Sequence, residues 1–426
     1  MLLRKAYRYR IYPDAAQEKL FGRTIGCCRL VYNLCLEQKN EYLRRRKSLS
    51  KFDQIKELTA LKEEFDFLYE MPHHPLQQAV YDVHAAFDNY FAGLKRRREL
   101  AMRGIKANPE DFPKWPTFHK RGRKESFRYP DPKQIKIEPE RIFLPKAGWV
   151  RIAMHRPIAG KIKNVTVSAI AGEWFVSAQT DLESEIPVNR GPAAGIDLGS
   201  AQPIVLSDGT VFGIPRAAPT ERRKLEDAHR TVHRRKKGSK NREKAKLRLA
   251  RLQAKAARRR RDAAHKATTT IAKNHGVVVI EDLKVKQLTK RGRGTAEDPG
   301  TLVKKRANEN RALLEIAPRT IRTMLEYKCR WYGSTLVVVD PAHTSETCSA
   351  CGVVDPESRI TRARYVCGAC GGDFDPDVNA ARNILIKGTS ATGGLPGMAC
   401  GSSQTIGRKQ EEDAREGGSS ALQGRE

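Results

Sequence analysis

Four cysteines late in the chain, Cys348, Cys351, Cys367 and Cys370, form two Cys-x-x-Cys pairs separated by fifteen residues. Each pair spans a tight turn that aims two sulfurs at one point, and four thiolates suit tetrahedral zinc. Since protein would fill every position, such a zinc holds a fold and leaves no place for water. Chemistry must lie elsewhere. The chain leaves the second pair through Asp375-Pro-Asp377-Val-Asn379-Ala-Ala, and two apolar runs upstream end in acids, at Asp197 and at Glu281-Asp282. An acid on a buried strand is costly to desolvate without a partner, and a divalent cation is the strongest partner available. Asp197, Glu281 and Asp377 around a pair of Mg²⁺ ions would be equipment for in-line phosphodiester hydrolysis, one ion activating water and the other stabilising the leaving oxygen. Taken singly, Asp375 or Asp377 also suits a helix N-cap, and Asp197 or Glu281 a strand-end turn.

The elements that must position these acids follow from periodicity. Ala194 to Leu198, Pro203 to Leu206 and Val211 to Ile214, with a Ser207-Asp208-Gly209 turn, read as a β-meander. Two further buried strands follow, Val277 to Ile280 and Leu336 to Val339, with a helix from about Pro318 to Trp331 between them and a last helix from Asn379 to Lys387. Upstream, Tyr7, Tyr9 and Ile11 alternate with Arg8 and Arg10 as a strand with one buried face, ended by Pro13. Asp14 and Gln17 form a capping-box variant that starts a helix through Leu20, Ile25 and Leu30. Helical spacing recurs from Ile55 to Leu68 and from Leu76 to Leu94, broken at Pro72 and Pro75. From Trp115 onward short alternating runs, with a hairpin at Ala171-Gly172-Glu173, imply a small β-barrel that the first strand completes.

Charge points to the partner. The 426 residues carry 80 Lys and Arg against 49 acids, a net charge of +31. Between Glu221 and Arg261 there are nineteen bases and four acids, in a helical stretch whose turn falls at Lys237-Gly238-Ser239. Apolar Leu225, Leu247, Leu249 and Leu252 would permit a solvated hairpin, yet so many like charges on one arm repel unless phosphates neutralise them. Nucleic acid is the expected partner, with Arg234, Arg235, Lys236 and Lys237 as contacts. Gln77, at a helix start, is either an ordinary exposed residue or a reader of an adenine edge.

No apolar run approaches eighteen residues, and no signal-peptide core follows Met1. The expectation is a protein without membrane contact, cytoplasmic and associated with the nucleoid. Cys27, Cys28, Cys35, Cys329 and Cys400 show no paired framework, which fits a reducing compartment where thiolate ligands persist.

The order β-β-β, helix, β, helix, β, helix with acids on the first strand, the fourth strand and the last helix resembles the RNase H-like fold of RuvC nucleases. Gly195-Ile-Asp197-Leu-Gly199, Val279-Ile-Glu281-Asp-Leu283, the knuckle beginning Thr344-Ser-Glu-Thr-Cys348, and Asp375-x-Asp377-x-Asn379-Ala-Ala-x-Asn383-Ile384 are similar to the TnpB (OrfB) family. Arg10-Ile-Tyr-Pro13, Ser126-Phe127-Arg128, Leu325-Glu-Tyr-Lys328 and Trp331-Tyr-Gly333 extend the likeness over most of the chain. These are transposon-encoded RNA-guided DNA endonucleases, compact relatives of type V CRISPR effectors. The resemblance implies Asp197, Glu281 and Asp377 as the catalytic, Mg²⁺-holding trio, with Asp375 a nearby acid outside it. It further implies a guide RNA, a double-stranded DNA target beside a short flanking motif read by the N-terminal half, and one protein chain per RNA. Catalytically idle RNA-guided repressors and guide-free RuvC-like resolvases or transposases are the alternatives.

The expected architecture is a multidomain α/β protein. It has the first strand of a wedge β-barrel at 1–13, a helical recognition lobe at 14–118 and the barrel at 119–190. A RuvC domain occupies 191–340 with its basic hairpin at 218–266, followed by a zinc-knuckle insert for target nucleic acid at 341–374 and the final RuvC helix at 375–387. Residues 388–426, rich in Gly, Ser, Thr and charge, are expected to be disordered, and the segment from Lys290 to Arg311 departs from the family pattern where a lid over the active site is expected.

Overall fold

Alternation at the N-terminus produces the strand it implies. In the computed structural model, which describes residues 1–105, 112–122, 125–199, 202–290, 300, 303–361 and 363–391, β1 (Leu2–Tyr12) buries Leu3, Tyr7, Tyr9 and Ile11 and exposes Arg4 and Arg10. Six further strands join it: β2 (Ser126–Tyr129), β3 (Lys136–Ile137), β4 (Arg141–Leu144), β5 (Gly148–Ala153), β6 (Lys161–Ile170) and β7 (Glu173–Glu183). Their order is β2-β6-β7-β1-β5-β4-β3, all pairs antiparallel, so the first strand of the chain lies inside the sheet between β7 and β5. The β6–β7 hairpin turns through Ala171 and Gly172 at φ 54° and 75°, a left-handed pair that matches the twist of the flanking strands.

Helix α1 (Ala15–Arg44) starts at the capping box read in the sequence: Gln17 N–H donates to Asp14 Oδ1 at 2.8 Å and Asp14 N–H to Gln17 Oε1 at 3.1 Å. Its first turns give Phe21 and Ile25 to the core of the sheet, and its later turns give Val31 and Leu36 to a second core. That second core is shared with α2 (Lys51–Glu64) and α3 (His73–Met102), the latter following Pro72 as expected of a helix restarted after a proline. Among the described residues of the lobe assigned to 14–118, the last helix ends at Met102. Trp115 returns against α3, its ring T-shaped to Phe87 at 5.2 Å and to Tyr90 at 5.1 Å.

A second sheet comprises β8 (Ala193–Asp197), β9 (Ile204–Leu206), β10 (Val211–Phe212), β11 (Val277–Glu281) and β12 (Thr335–Val339), in the order β10-β9-β8-β11-β12. The first three strands form an antiparallel meander; β8, β11 and β12 run parallel. Two helices, α4 (Pro219–Arg234) and α5 (Lys240–Asn274), fill the connection after β10, joined by a turn with Gly238 at φ 84°. The hairpin expected to end at residue 266 is longer, because α5 continues into the core of the second sheet and buries Ala264, Ala267 and Ile271 there. Two helices follow β11, the short α6 (Val285–Leu288) and α7 (Val303–Ile316), then α8 (Pro318–Tyr332), which packs beside α5 through Ile321 and Leu325.

After β12 the cysteine-bearing insert carries one small hairpin, β13 (Tyr365–Val366) with β14 (Asp373–Phe374). The last helix, α9 (Pro376–Ala391), lies against the opposite face of the second sheet through Ile384, Val279 and Val339. It runs four residues past the expected end at Lys387, with Gly388 seated on Val279, so the tail expected from residue 388 begins as helix. Residues 392–426 lie outside the described residues, as do 291–299 and 301–302 of the segment that departs from the family pattern. Among the described residues no helix is long and apolar enough to cross a membrane.

Candidate active site and zinc centre

Strand register places the first two acids together. Ile196 of β8 pairs with Ile280 of β11, so Asp197 and Glu281, one residue further along each parallel strand, stand side by side on the same face. Two glycines let α9 lie against that face. A Cβ at Gly195 would stand 2.1 Å from the Ala381 carbonyl oxygen, and one at Gly388 would stand 2.4 Å from Val279 Cγ1. Backbone therefore meets strand without an intervening side chain, and the first turn of α9 comes down over the end of β8. Beside that point, a Cβ at Gly199 would find Asp197 Oδ2 at 3.4 Å and Asp377 Oδ2 at 3.5 Å, which puts both carboxylates against one backbone position.

The structure separates the two acids that the sequence left interchangeable as caps. Asp375 caps α9: its Oδ1 accepts from the N–H groups of Asp377 at 2.9 Å and Val378 at 3.2 Å, and its carbonyl accepts from Asn379 at 2.9 Å. Asp377, inside the first turn, is turned to Asp197 instead. Burial first, then the charges of Asp377 and Glu281, push the Asp197 carboxyl up to about 7. Glu281 is also raised, chiefly by burial, against a hydrogen bond from the Thr344 hydroxyl that favours its charged form. Arg359, from the insert, reaches Asp377 Oδ1 at 3.6 Å.

The four cysteines converge more tightly than the carboxylates do. Among the described residues they are the group whose ligand atoms all lie within 4.8 Å of one another. Sγ of Cys348 is 3.7 Å from that of Cys370, and Sγ of Cys351 is 3.6 Å from that of Cys367. Tetrahedral zinc with bonds of about 2.3 Å requires sulfurs roughly 3.8 Å apart, so the set fits the ion. Both turns have the same design: Gly352 N–H returns to the Cys348 carbonyl and Gly371 N–H to the Cys367 carbonyl, each at 2.9 Å, with both glycines in left-handed backbone. Buried Tyr365 packs beneath Cys348 and Cys367.

Arg234, Arg235, Lys236 and Lys237 are all exposed at the tip of the α4–α5 hairpin. The arm is clasped to the first sheet by Glu173, which pairs with Arg258 of α5 and, at 3.2 Å, with Arg10 of β1. Gln77 is half-buried on α3, beside but outside the cleft between α1, α3 and β2. Gln78 lines that cleft with Arg29, Asp82, Ser126 and Arg128, and Asp82 accepts from Gln78 at 2.8 Å and from Arg128 at 2.9 Å. Sequence reasoning assigned no role to Thr344, Arg359, Asn379 or Asn383. The i, i+4 spacing of the two asparagines, which puts them on one helix face, was the available signal.

Strand ends carrying acids, a thiolate knuckle ahead of the last helix and an exposed basic helical arm are thus combined in one mixed α/β protein. Sequence profiles agree along the chain: one described as "Cas12f1-like, TNB domain" matches residues 319–384, one described as "Probable transposase" (OrfB, IS605) matches 176–292, and a "Helix-turn-helix domain" of the same OrfB group matches 1–48. That last stretch is here a strand and a long helix. A protein of Escherichia coli K12 named "Putative RNA-guided DNA endonuclease InsQ" is 36% identical over 97% of this chain and 98% of its own length. A Streptomyces pristinaespiralis protein named in the same words, without the final designation, is 34% identical over 99% of this chain and 96% of its own. The chain belongs to the TnpB (OrfB) family. A solved Cas12f1–sgRNA–target DNA complex overlays 90% of the chain and 99% of its own at 14% identity with a TM-score of 0.44.

Proposed function

We propose that this protein is an RNA-guided DNA endonuclease that hydrolyses target phosphodiesters at Asp197, Glu281 and Asp377. The observation that carries the reading is the seating of α9 on β8, which brings Asp377 to Asp197 at the end of the strand that runs beside Glu281. The second sheet is then an RNase H-like RuvC domain, and the seven-stranded sheet is the wedge barrel. The carboxylate set fits Mg²⁺: hard oxygen donors, strongly desolvated, with Asp197 pushed up by its two neighbours, are in the state that a divalent cation relieves. When bound, a pair of Mg²⁺ ions supplies an activated water and stabilisation of the leaving oxygen. Asp197 and Glu281 hold their side of the cleft from a rigid sheet, and Asp377 closes it from the helix above. A single such site would cut both strands in turn.

Other parts of the chain select and hold the substrate. The arm from Glu221 to Arg261 tracks the phosphates of the guide RNA and its heteroduplex, recognising shape and charge while base pairing reads sequence. The cleft that holds Gln78, Arg29 and Arg128 is the place where the flanking motif is read, in preference to Gln77. The zinc-bearing insert receives target nucleic acid next to the acids. Such a protein works in the cytoplasm at the nucleoid, one chain per RNA. The acids that an idle repressor would have lost are all in place.

The test is to sequence RNA that purifies with the chain, reprogram its guide segment, and present plasmids with randomised flanks in Mg²⁺. Cleavage should follow the guide and require a short flank, and binding should weaken steeply with salt. Cleavage that ignores the guide, or proceeds without RNA, would instead establish a resolvase- or transposase-like nuclease.

A further inference from the structure

The insert is bonded to the acids as well as adjacent to them. Thr344, which opens the insert and is 4% exposed, donates its hydroxyl to Glu281 Oε1. Two buried asparagines on α9 hold the same stretch of backbone. Asn383 Nδ2 donates to the carbonyls of Thr344 at 2.9 Å and Thr347 at 2.6 Å. Asn379 Nδ2 donates to the Thr347 carbonyl at 2.7 Å, and its Oδ1 accepts from Ser349 N–H at 2.8 Å. The amide of Ser349 directly follows Cys348, so a continuous set of hydrogen bonds runs from Glu281 through Thr344 and α9 to the first thiolate knuckle. Asn379 is also on the helical turn that carries Asp377.

Glu281 needs such a partner. It is only 8% exposed, and a buried carboxylate with an unfilled lone pair loses orientation as well as free energy. Strand β11 fixes its backbone but not its terminal torsion, which is broad and roughly two-fold for a carboxylate. From these contacts we infer that Thr344 is a positioning residue that orients the Glu281 carboxylate in the nuclease site, held in place by Asn379 and Asn383 of α9. The insert and the acid site are thereby one rigid unit. This rests on the nuclease reading above.

Thr344→Val removes the hydroxyl and keeps the shape, while Thr344→Ser keeps the hydroxyl. With the full RNA-bound protein, Thr344→Val should lower guided cleavage at limiting Mg²⁺ by about 10- to 100-fold, the usual effect of losing a ligand's hydrogen-bond partner. Zinc content and guided DNA binding should stay at wild-type levels, and Thr344→Ser should return the rate to within a few-fold. A readout independent of turnover uses Fe²⁺ in place of Mg²⁺ with ascorbate and peroxide, so that radicals cut the polypeptide beside the bound ion. Wild type should give fragments ending near 197 and 281, and Thr344→Val should lose them. Asn383→Asp, which replaces the donor but leaves Thr344 intact, should act in the same direction. If wild type gives iron-directed fragments and Thr344→Val gives the same ones with an unchanged Mg²⁺ response, the positioning role is wrong and the nuclease reading stands. If wild type gives none and does not cut, both fall. Loss of zinc in Thr344→Val would also overturn the inference, since the residue would then be supporting the insert alone.

Discussion

The thiolate centre and the carboxylate centre are joined through α9 and the insert yet are assembled differently. All four sulfurs fall between positions 348 and 370 and are drawn together by two local turns of identical hydrogen bonding. Of the carboxylates, Asp197 and Glu281 are set side by side by the β8–β11 register, and Asp377 comes to Asp197 because α9 rests its backbone on β8 through Gly195. A local centre needs its own ligands and little else. A distributed one depends on every contact that sets the spacing between its parts, so it can be lost through a residue that touches no reactant.

The largest effect should come from the local centre. Cys348→Ser or Cys370→Ser should abolish zinc binding and disorder the insert, because structural zinc in small domains contributes about 10–16 kcal/mol to folding. Metal analysis should find one zinc in wild type, and a zinc-free preparation that cuts normally would dismiss the centre. Next, Asp197→Ala, Glu281→Ala and Asp377→Ala should each lower guided cleavage by at least about a thousandfold, several kcal/mol of transition-state stabilisation, with guided binding retained. Asp375→Ala should cost only about 1 kcal/mol of helix stability, as loss of a cap does. The reverse pattern at 375 and 377 would reassign the trio.

Smaller effects sharpen the contrast. Gly195→Ala drives a methyl into the Ala381 carbonyl and should destabilise the fold by about 1–3 kcal/mol, as overpacking does, with loss of cleavage. Gly352→Ala, in a knuckle turn with nothing within 4 Å, should cost only the left-handed strain of about 1 kcal/mol. Comparable unfolding midpoints for the two would show that α9 does not depend on that close approach. Last, Asp197→Asn should raise the stability of the Mg²⁺-free protein at pH 7 by about 1–4 kcal/mol while abolishing cleavage. The folded carboxyl, at about 7, binds its proton where the unfolded one has released it, so its ionisation opposes folding above the ordinary carboxylate range and the penalty fades as pH falls below it. Calorimetry of both proteins across pH 4 to 8 checks the sign, and an Asn variant less stable at pH 7 refutes it.

Much of this was legible from local pattern. The capping box at Asp14, the hairpin at Ala171-Gly172, the paired cysteines and the Gly238 turn all depend on residues a few positions apart, where spacing decides geometry. What the sequence left open depended on distant partners. Nothing near Asp375 or Asp377 says which one caps, because the answer is set by the height of α9 above Gly195. Gln77 and Gln78 are adjacent helix residues, and only the position of β2 decides which one faces the cleft. The helix continues past Lys387 although Gly388 and Thr389 favour an ending, because packing on Val279 needs a residue without a side chain there. Asn379 and Asn383 resemble surface residues until the backbone of Thr344 to Ser349 is laid across them.

Helix α5 imposes one more constraint. Its 35 residues make a rod about 50 Å long whose end is locked in the core of the second sheet, whose middle pairs with Glu173 through Arg258, and whose beginning carries the tip of the basic arm. The two ends are phased like points on a screw thread: each residue gained or lost between Arg251 and Ala264 would swing the arm by about 100° and slide it by about 1.5 Å. Only steps of about seven residues, nearly two full turns, restore the facing. Relatives that differ in the reach of this arm should therefore differ at the open turn around Gly238, and the rod beneath it should keep a constant length.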